Sequence, residues 1–251
     1  MIRTENLTKI FPDVGAGDTV AVDHINLHIK AGTIFGLLGP NGAGKTTALR
    51  MISTVLRPTE GRAWVTDLDV TEHPAEVRRR IGFMSGNTAV YDRMTAREMV
   101  EYFGRLHGMD ESELAKKIGD IFDTFDMREF ENRLCGKLST GQKQKVSIAR
   151  TIIHDPPVLV FDEPTTGLDV IVARTMLEFI RSCRRDDRVV IFSTHHMTEA
   201  ERLCDEIAFI HEGRILASGT LDELKEQTEA PTLEDVFFKL AGEAGEADGV
   251  A

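Results

Sequence analysis

The sequence predicts an α/β fold with a largely parallel sheet and a mostly helical insert. Short runs that are almost wholly apolar, "GTIFGLLG", "PPVLVFDE" and "RVVIFST", suit strands covered on both faces. Helical patterns separate them, and that alternation argues for parallel strands with crossover helices. Between about residues 90 and 155 no buried-strand pattern occurs. There "TAREMVEYFGRLHG" and "ESELAKKIGDIFDTFDM" place apolar residues at helical spacing.

In chain order, Val20 to Ile29, "VAVDHINLHI", alternates apolar and polar for much of its length and reads as a half-buried strand. "GTIFGLLG" is followed by a glycine-rich turn and "TALRMISTVL", a helix pattern. After the helical stretch come "VLVFDEP" and "RVVIFST". "DEIAFIHEGRILASG" holds two short apolar runs around "HEGR" and reads as a hairpin. One domain over 1–242 is expected, with a helical subdomain inserted at about 87–155. The Ala/Gly/acid-rich residues 243–251 are expected to be a disordered tail.

Bulk properties narrow the function classes. The chain has 251 residues, 41% hydrophobic and 28% charged, with a net charge of −11. That charge disfavours a broad nucleic-acid groove or direct docking on anionic lipid, and no nucleic-acid partner is expected. Cys135, Cys183 and Cys204 show no metal or redox spacing and read as reduced thiols. No apolar run approaches the roughly 20 residues that span a bilayer. "MIRTENLTKIF" has no signal-peptide core. A soluble cytoplasmic chain is expected, with any membrane role exercised through a partner.

"GPNGAGKTT", Gly39 to Thr47, fits the phosphate-binding pattern G-x-x-x-x-G-K-[ST] in its required context, between an apolar strand and a helix. Backbone N–H groups of Asn41, Gly42, Ala43, Gly44, Lys45, Thr46 and Thr47 can turn toward phosphate oxygens, and the helix N-terminus adds partial positive charge. Lys45 can bridge the β- and γ-phosphates, and the Thr46 hydroxyl suits Mg²⁺. The bland reading is a glycine-rich turn with an incidental lysine. In "VLVFDEP" two carboxylates end an apolar strand. A solvated strand end would be the default, but the upstream phosphate loop changes the balance. Asp162 is then placed to hold Mg²⁺, and Glu163 to polarise an attacking water.

The order phosphate loop, "LSTGQ", "VLVFDEP", "TTGLD", "STH" resembles the ATP-binding subunit of an ABC transporter, over roughly Met1 to Gly242. The resemblance implies a P-loop NTPase (RecA-like) core with an N-terminal antiparallel β region and an inserted helical subdomain. ATP and Mg²⁺ are the implied cofactors, and Lys45, Glu163 and His195 the implied catalytic set. Phe11 of "LTKIF" would stack on adenine; an apolar staple beside the first strand is the alternative. Asp169 of "TTGLD" would cross a dimer interface. His195, directly after "ST", would sense the γ-phosphate, leaving His196 structural. "KLSTGQKQKVSIAR" would present Ser139, Gly141 and Gln142 to ATP held by a partner, either a second copy or a related ATPase subunit. An integral-membrane permease would hold the pair at the inner face of the plasma membrane.

Two departures from the family pattern stand out. Thr140 occupies a position where glycine is usual, and its hydroxyl is a candidate extra cap. The glutamine usual after the "IGF" stretch is replaced by Gly86, with Asn87 or water as substitutes. Mg²⁺ is therefore expected on Thr46, Asp162, phosphates and water, with no side-chain ligand from residues 85–88. Together with "YDRMTARE" and "TLEDVFFKL", these features resemble the sodium- and drug-efflux branch. The alternatives are a non-transport ABC ATPase and an importer subunit. A permease groove is expected between Gly86–Tyr91 and the helical insert, with Ala89, Val90 and Tyr91 lining it or packing inside the insert.

Overall fold

A computed structural model describes residues 1–12, 15, 17–85 and 90–248, with side chains as far as Gly242. The elements are β1 (Ile2–Phe11), β2 (Thr19–Ile29), β3 (Ile34–Leu38), α1 (Lys45–Ile52), β4 (Glu60–Val65), β5 (Leu68–Asp69), α2 (Pro74–Arg79) and β6 (Ile81–Ser85). Next come α3 (Ala96–Leu106), α4 (Glu111–Thr124), α5 (Thr140–Ile152), β7 (Val158–Asp162), α6 (Val170–Ser182) and β8 (Val189–Thr194). The chain finishes with α7 (Met197–Leu203), β9 (Glu206–His211), β10 (Arg214–Thr220), α8 (Leu221–Thr228) and α9 (Leu233–Asp248).

Six strands form the central sheet in the order β10-β9-β3-β8-β7-β6, and all but the β10 edge run parallel. Every residue of β3, β7 and β8 is buried, as their largely apolar character requires. β9 and β10 make the expected hairpin around Glu212 and Gly213. A four-stranded antiparallel sheet, β2-β1-β4-β5, packs α1 against one face of the central sheet. Phe179 and Ile180 of α6 and Leu203 of α7 cover the other face.

Among the described residues between β6 and β7 there is no strand. Met99 and Val100 of α3 meet Leu114, Ile118 and Phe122 of α4 and Val146 of α5 in a core of their own. Thr95 and Glu98 close a reciprocal capping box at the start of α3.

β1, β4, β5 and β6 were not marked by the sequence pattern. In β1 the register against β2 shifts three times, which breaks the alternation that a strand search relies on. At the other end the helix assignment runs into the stretch expected to be a tail. α9 continues to Asp248, because alanine and glutamate favour helix and offset the two glycines.

The parallel register places the site. Ser85 is level with Asp162, Asp162 with Ser193, and Leu38 with Thr194. The carboxyl ends of four adjacent strands thus open on one crevice, where α/β sheets bind ligands.

Candidate active site

The loop from Gly39 to Gly44 links β3 to α1 and is held by close backbone contacts. A Cβ on Gly39 would lie 2.1 Å from the Ile210 carbonyl oxygen. Gly44 has φ +107°, a left-handed conformation that side chains resist. The loop surrounds a cavity of about 170 Å³ that Asn41, Gly42, Ala43, Gly44, Lys45, Thr46 and Thr47 line. Ala21 of β2 and Glu163 close it from the other sides.

Lys45 is 4% exposed and folds back over the loop. Its Nζ donates to the carbonyls of Gly39 at 2.7 Å and Pro40 at 3.0 Å, and lies 3.1 Å from Glu163 Oε1. Glu163 therefore caps the cation that the loop would offer to phosphate. Its second oxygen accepts from Thr166 Oγ1 at 2.9 Å and lies 2.8 Å from His195 Nδ1. A carboxylate can only accept, so His195 carries its proton on Nδ1. Burial pushes the Glu163 carboxyl up, but the hydrogen bond and charge of Lys45 outweigh it and hold the group below the ordinary value. At neutral pH Glu163 is ionised, the form a general base needs.

Glu163 also sits at φ +51°, unusual for a residue with a side chain. Its backbone N–H is fixed by the Ser193 hydroxyl at 3.0 Å and the Ser193 carbonyl at 3.2 Å. The same hydroxyl donates to Asp162 Oδ1 at 2.9 Å.

Asp162 is 2% exposed and faces hydroxyls rather than a cation. Thr46 Oγ1 donates to its Oδ1 at 3.0 Å, and Ser85 Oγ reaches Oδ2 at 3.4 Å. A buried carboxylate beside hydroxyl oxygens is a hard donor set that suits Mg²⁺. No group of three or more His, Cys, Asp or Glu side chains gathers among the described residues. A second cavity of about 210 Å³ joins Asn41, Thr46, Asp162, Glu163 and His195.

Other expected residues lie outside both cavities. Phe11 ends β1 opposite Thr19, 40% exposed, with the Lys9 ammonium 5.2 Å from its ring centroid. Ser139 and Gln142 form a capping box that starts α5: Ser139 Oγ accepts from the Gln142 N–H at 3.3 Å, and Gln142 Oε1 from the Ser139 N–H at 3.0 Å. The cap is thus Ser139, and Thr140, the first helical residue, is not the extra cap it was expected to be. A hydroxyl already accepting can still donate its own hydrogen outward. Gly141 faces Val172 of α6, and Gln144 Nε2 donates to the Pro164 carbonyl at 3.0 Å. Asp169 caps α6, accepting from the N–H groups of Ile171 and Val172 at 3.0 Å. His196 is exposed and sits at the start of α7. Gly86, Asn87 and Ala89 lie outside the described residues.

The structure gives roles to residues to which the sequence reading assigned none: Ser193 of "STH", Thr166 of "TTGLD" and Ser85, which orient the two carboxylates, and Ala21, which closes the phosphate cavity. All reach the site through strand register or a local turn.

Comparison with known proteins agrees with this geometry. The sequence pattern of the ABC transporter family matches residues 22–166. The ABC transporter ATP-binding protein NatA of Bacillus subtilis (strain 168) is 44% identical over 219 residues, 87% of this chain and 89% of its own. The daunorubicin resistance ATP-binding protein DrrA3 of Streptomyces coeruleorubidus is 36% identical over 92% of this chain and 73% of its own. A dimeric post-hydrolysis structure of the ATP-binding cassette MJ0796, bound to ADP and Pi, superposes with a TM-score of 0.78 at 27% identity. That match covers 88% of this chain and 99% of the other. On the phosphate loop, its facing carboxylates and these relatives together, the chain belongs to the ABC transporter family, as an ATP-binding subunit that hydrolyses ATP.

Proposed function

We propose that two copies of this chain, or one copy and a related subunit, close head to tail on two ATP molecules and drive efflux through a separate permease. The observation that carries this reading is the Lys45–Glu163–His195 chain, 3.1 Å and 2.8 Å at its links, beside the Thr46–Asp162 pair. Phosphate arriving at the loop displaces the Glu163 carboxylate from Lys45. The freed carboxylate then orients and deprotonates the attacking water. His195, released from Glu163, turns toward the γ-phosphate. Mg²⁺ on Thr46 and Asp162 would neutralise charge on the phosphate oxygens.

Ser139, Gly141 and Gln142 serve the partner's nucleotide, and Asp169 stands at the junction. Val170 and Ile171, 85% and 79% exposed, follow it directly, and so much bare apolar surface suits a face that becomes covered. Phe11 stacks on adenine.

Efflux rests on the resistance role in the relative's name and on the "LSTGQ" and "YDRMTARE" features. Among the described residues no helix is long and apolar enough to cross a membrane, so the cassette would work at the cytoplasmic face of a permease. That permease would dock where a cavity of about 440 Å³ separates β6 from the insert, beside Phe83, Phe103 and Leu106.

The test is ATP-driven dimerisation by size exclusion, followed by co-purification with the adjacent membrane subunit. ATP hydrolysis without any nucleotide-dependent dimer would defeat the head-to-tail reading. Charge swaps at Arg78 or Arg79, which line that cavity, that leave co-purification unchanged would defeat the docking site.

A further inference from the structure

Glu199, on the first turn of α7, has no part in the phosphate cavities, yet it reaches the segments that carry both Glu163 and His195. Its Oε2 accepts from Thr165 Oγ1 at 3.0 Å and from Thr194 Oγ1 at 3.0 Å. Thr165 lies two residues after Glu163, and Thr194 directly precedes His195. Both threonines are buried, at 5% and 0% exposure, so these hydroxyls are committed to an internal partner. Thr194 Oγ1 also accepts from the His196 N–H at 3.0 Å, which fixes the chain on the far side of His195.

We propose that Glu199 is a positioning residue for ATP hydrolysis, setting the spacing between Glu163 and His195 through these two hydroxyls. The inference rests on the reading of Glu163 as base and His195 as γ-phosphate sensor. β7 and β8 are already tied by Ser193 at the level of Asp162, but that contact fixes only the backbone of Glu163. Beyond it the two segments leave the sheet, one toward Asp169 and the other into α7. A single carboxylate oxygen then joins them. A carboxylate oxygen takes two hydroxyl donors at once, and charge-assisted bonds are stiffer than neutral ones. Without it, each threonine hydroxyl would turn to another acceptor and the two loops would move separately. Misplacement of a reacting group by about 1 Å costs on the order of a hundredfold in rate. Glu199 lines neither phosphate cavity, so substrate affinity is set elsewhere, by Lys45 and the phosphate loop.

The experiment compares Glu199→Ala, Glu199→Gln and the Thr165→Val/Thr194→Val pair with the parent, with ATP as substrate. Glu199→Ala is expected to lower kcat about 10- to 100-fold while the KM for ATP stays within about twofold. Glu199→Gln is expected to recover most of the rate, because its amide oxygen accepts both hydroxyls. The valine pair, near-isosteric and compatible with buried sites, should reproduce the kcat loss even where the alanine variant folds poorly. Parent-like kcat in the valine pair, or a loss in Glu199→Gln equal to that in Glu199→Ala, would overturn the proposal. Glu163→Gln and His195→Ala, run alongside, separate the two levels. If neither impairs hydrolysis the underlying reading fails; if both do and the valine pair does not, only the role of Glu199 fails.

Discussion

Glu163→Gln is expected to move ATP affinity and hydrolysis rate in opposite directions. Lys45 is 4% exposed and its Nζ lies 3.1 Å from Glu163 Oε1, so ATP must take the ammonium from a carboxylate. Glutamine keeps an acceptor at that place and removes the charge. The bond that remains is still charge-assisted by the ammonium, but the ion-pair attraction is lost, on the order of 1 kcal/mol, so Lys45 is released more easily by about that amount. Affinity for ATP should therefore rise about fivefold. Loss of a general base lowers kcat by about 10² to 10⁴, or roughly 3–5 kcal/mol in activation free energy. Titration with a fluorescent ATP analogue reads the first quantity and phosphate release the second, with size exclusion in ATP to detect the trapped dimer. Hydrolysis within threefold of the parent, or weaker ATP binding, would refute the exchange of partners at Lys45.

Lys45→Ala is expected to weaken ATP binding by about a hundredfold, the loss of charge-assisted contacts to phosphate, visible in the same titration. Stability should depend on Glu163 in acid: its carboxyl is held below the ordinary value of 4.5, so the stabilisation it gives is complete above that value and is lost as pH falls through the lower folded value. Thermal unfolding from pH 7 to pH 4 should show the gap between the parent and Glu163→Gln narrowing toward the acid end. Ser139→Ala removes the acceptor for the Gln142 N–H, at a cost of about 1 kcal/mol, and should lower Tm by about 2–4 °C. The same variant should also slow hydrolysis if Ser139 serves the partner's ATP.

The part of the site that could be read from the sequence was the part written in contiguous residues. Gly39 to Thr47 declares itself because a phosphate loop needs its glycines, lysine and threonine at fixed offsets in one turn. Asp162 and Glu163 stood out only because a phosphate loop lies upstream, since two acids ending an apolar strand would otherwise read as a solvated end. The bond between Thr46 and Asp162 spans 116 positions, and each of its ends lies in a motif visible in the sequence. Glu199 was out of reach, and Ser193, though inside "STH", had no role that the motif could assign. Each matters through what strand register and α7 bring beside it, and a lone serine or a helical glutamate has many ordinary uses. The fold divides the same way. β3 is apolar throughout and β7 and β8 are apolar up to their polar last residues, so they are easily seen, whereas the bulges of β1 conceal its alternation. Thr140 was marked as an oddity of composition; the cap turned out to be its neighbour, because Ser139 has Gln142 three residues on to complete the pair.

The Gln144 amide bound to the Pro164 carbonyl has a consequence for how two such subunits keep time. Pro164 directly follows the chain's own Glu163, and α5 begins with the surface proposed to serve a neighbour's nucleotide. In the proposed head-to-tail pair, a shift of the turn after Glu163 would pull on the helix that completes the opposite site. One amide would then carry the state of a subunit's own nucleotide to its neighbour, in the manner of an escapement.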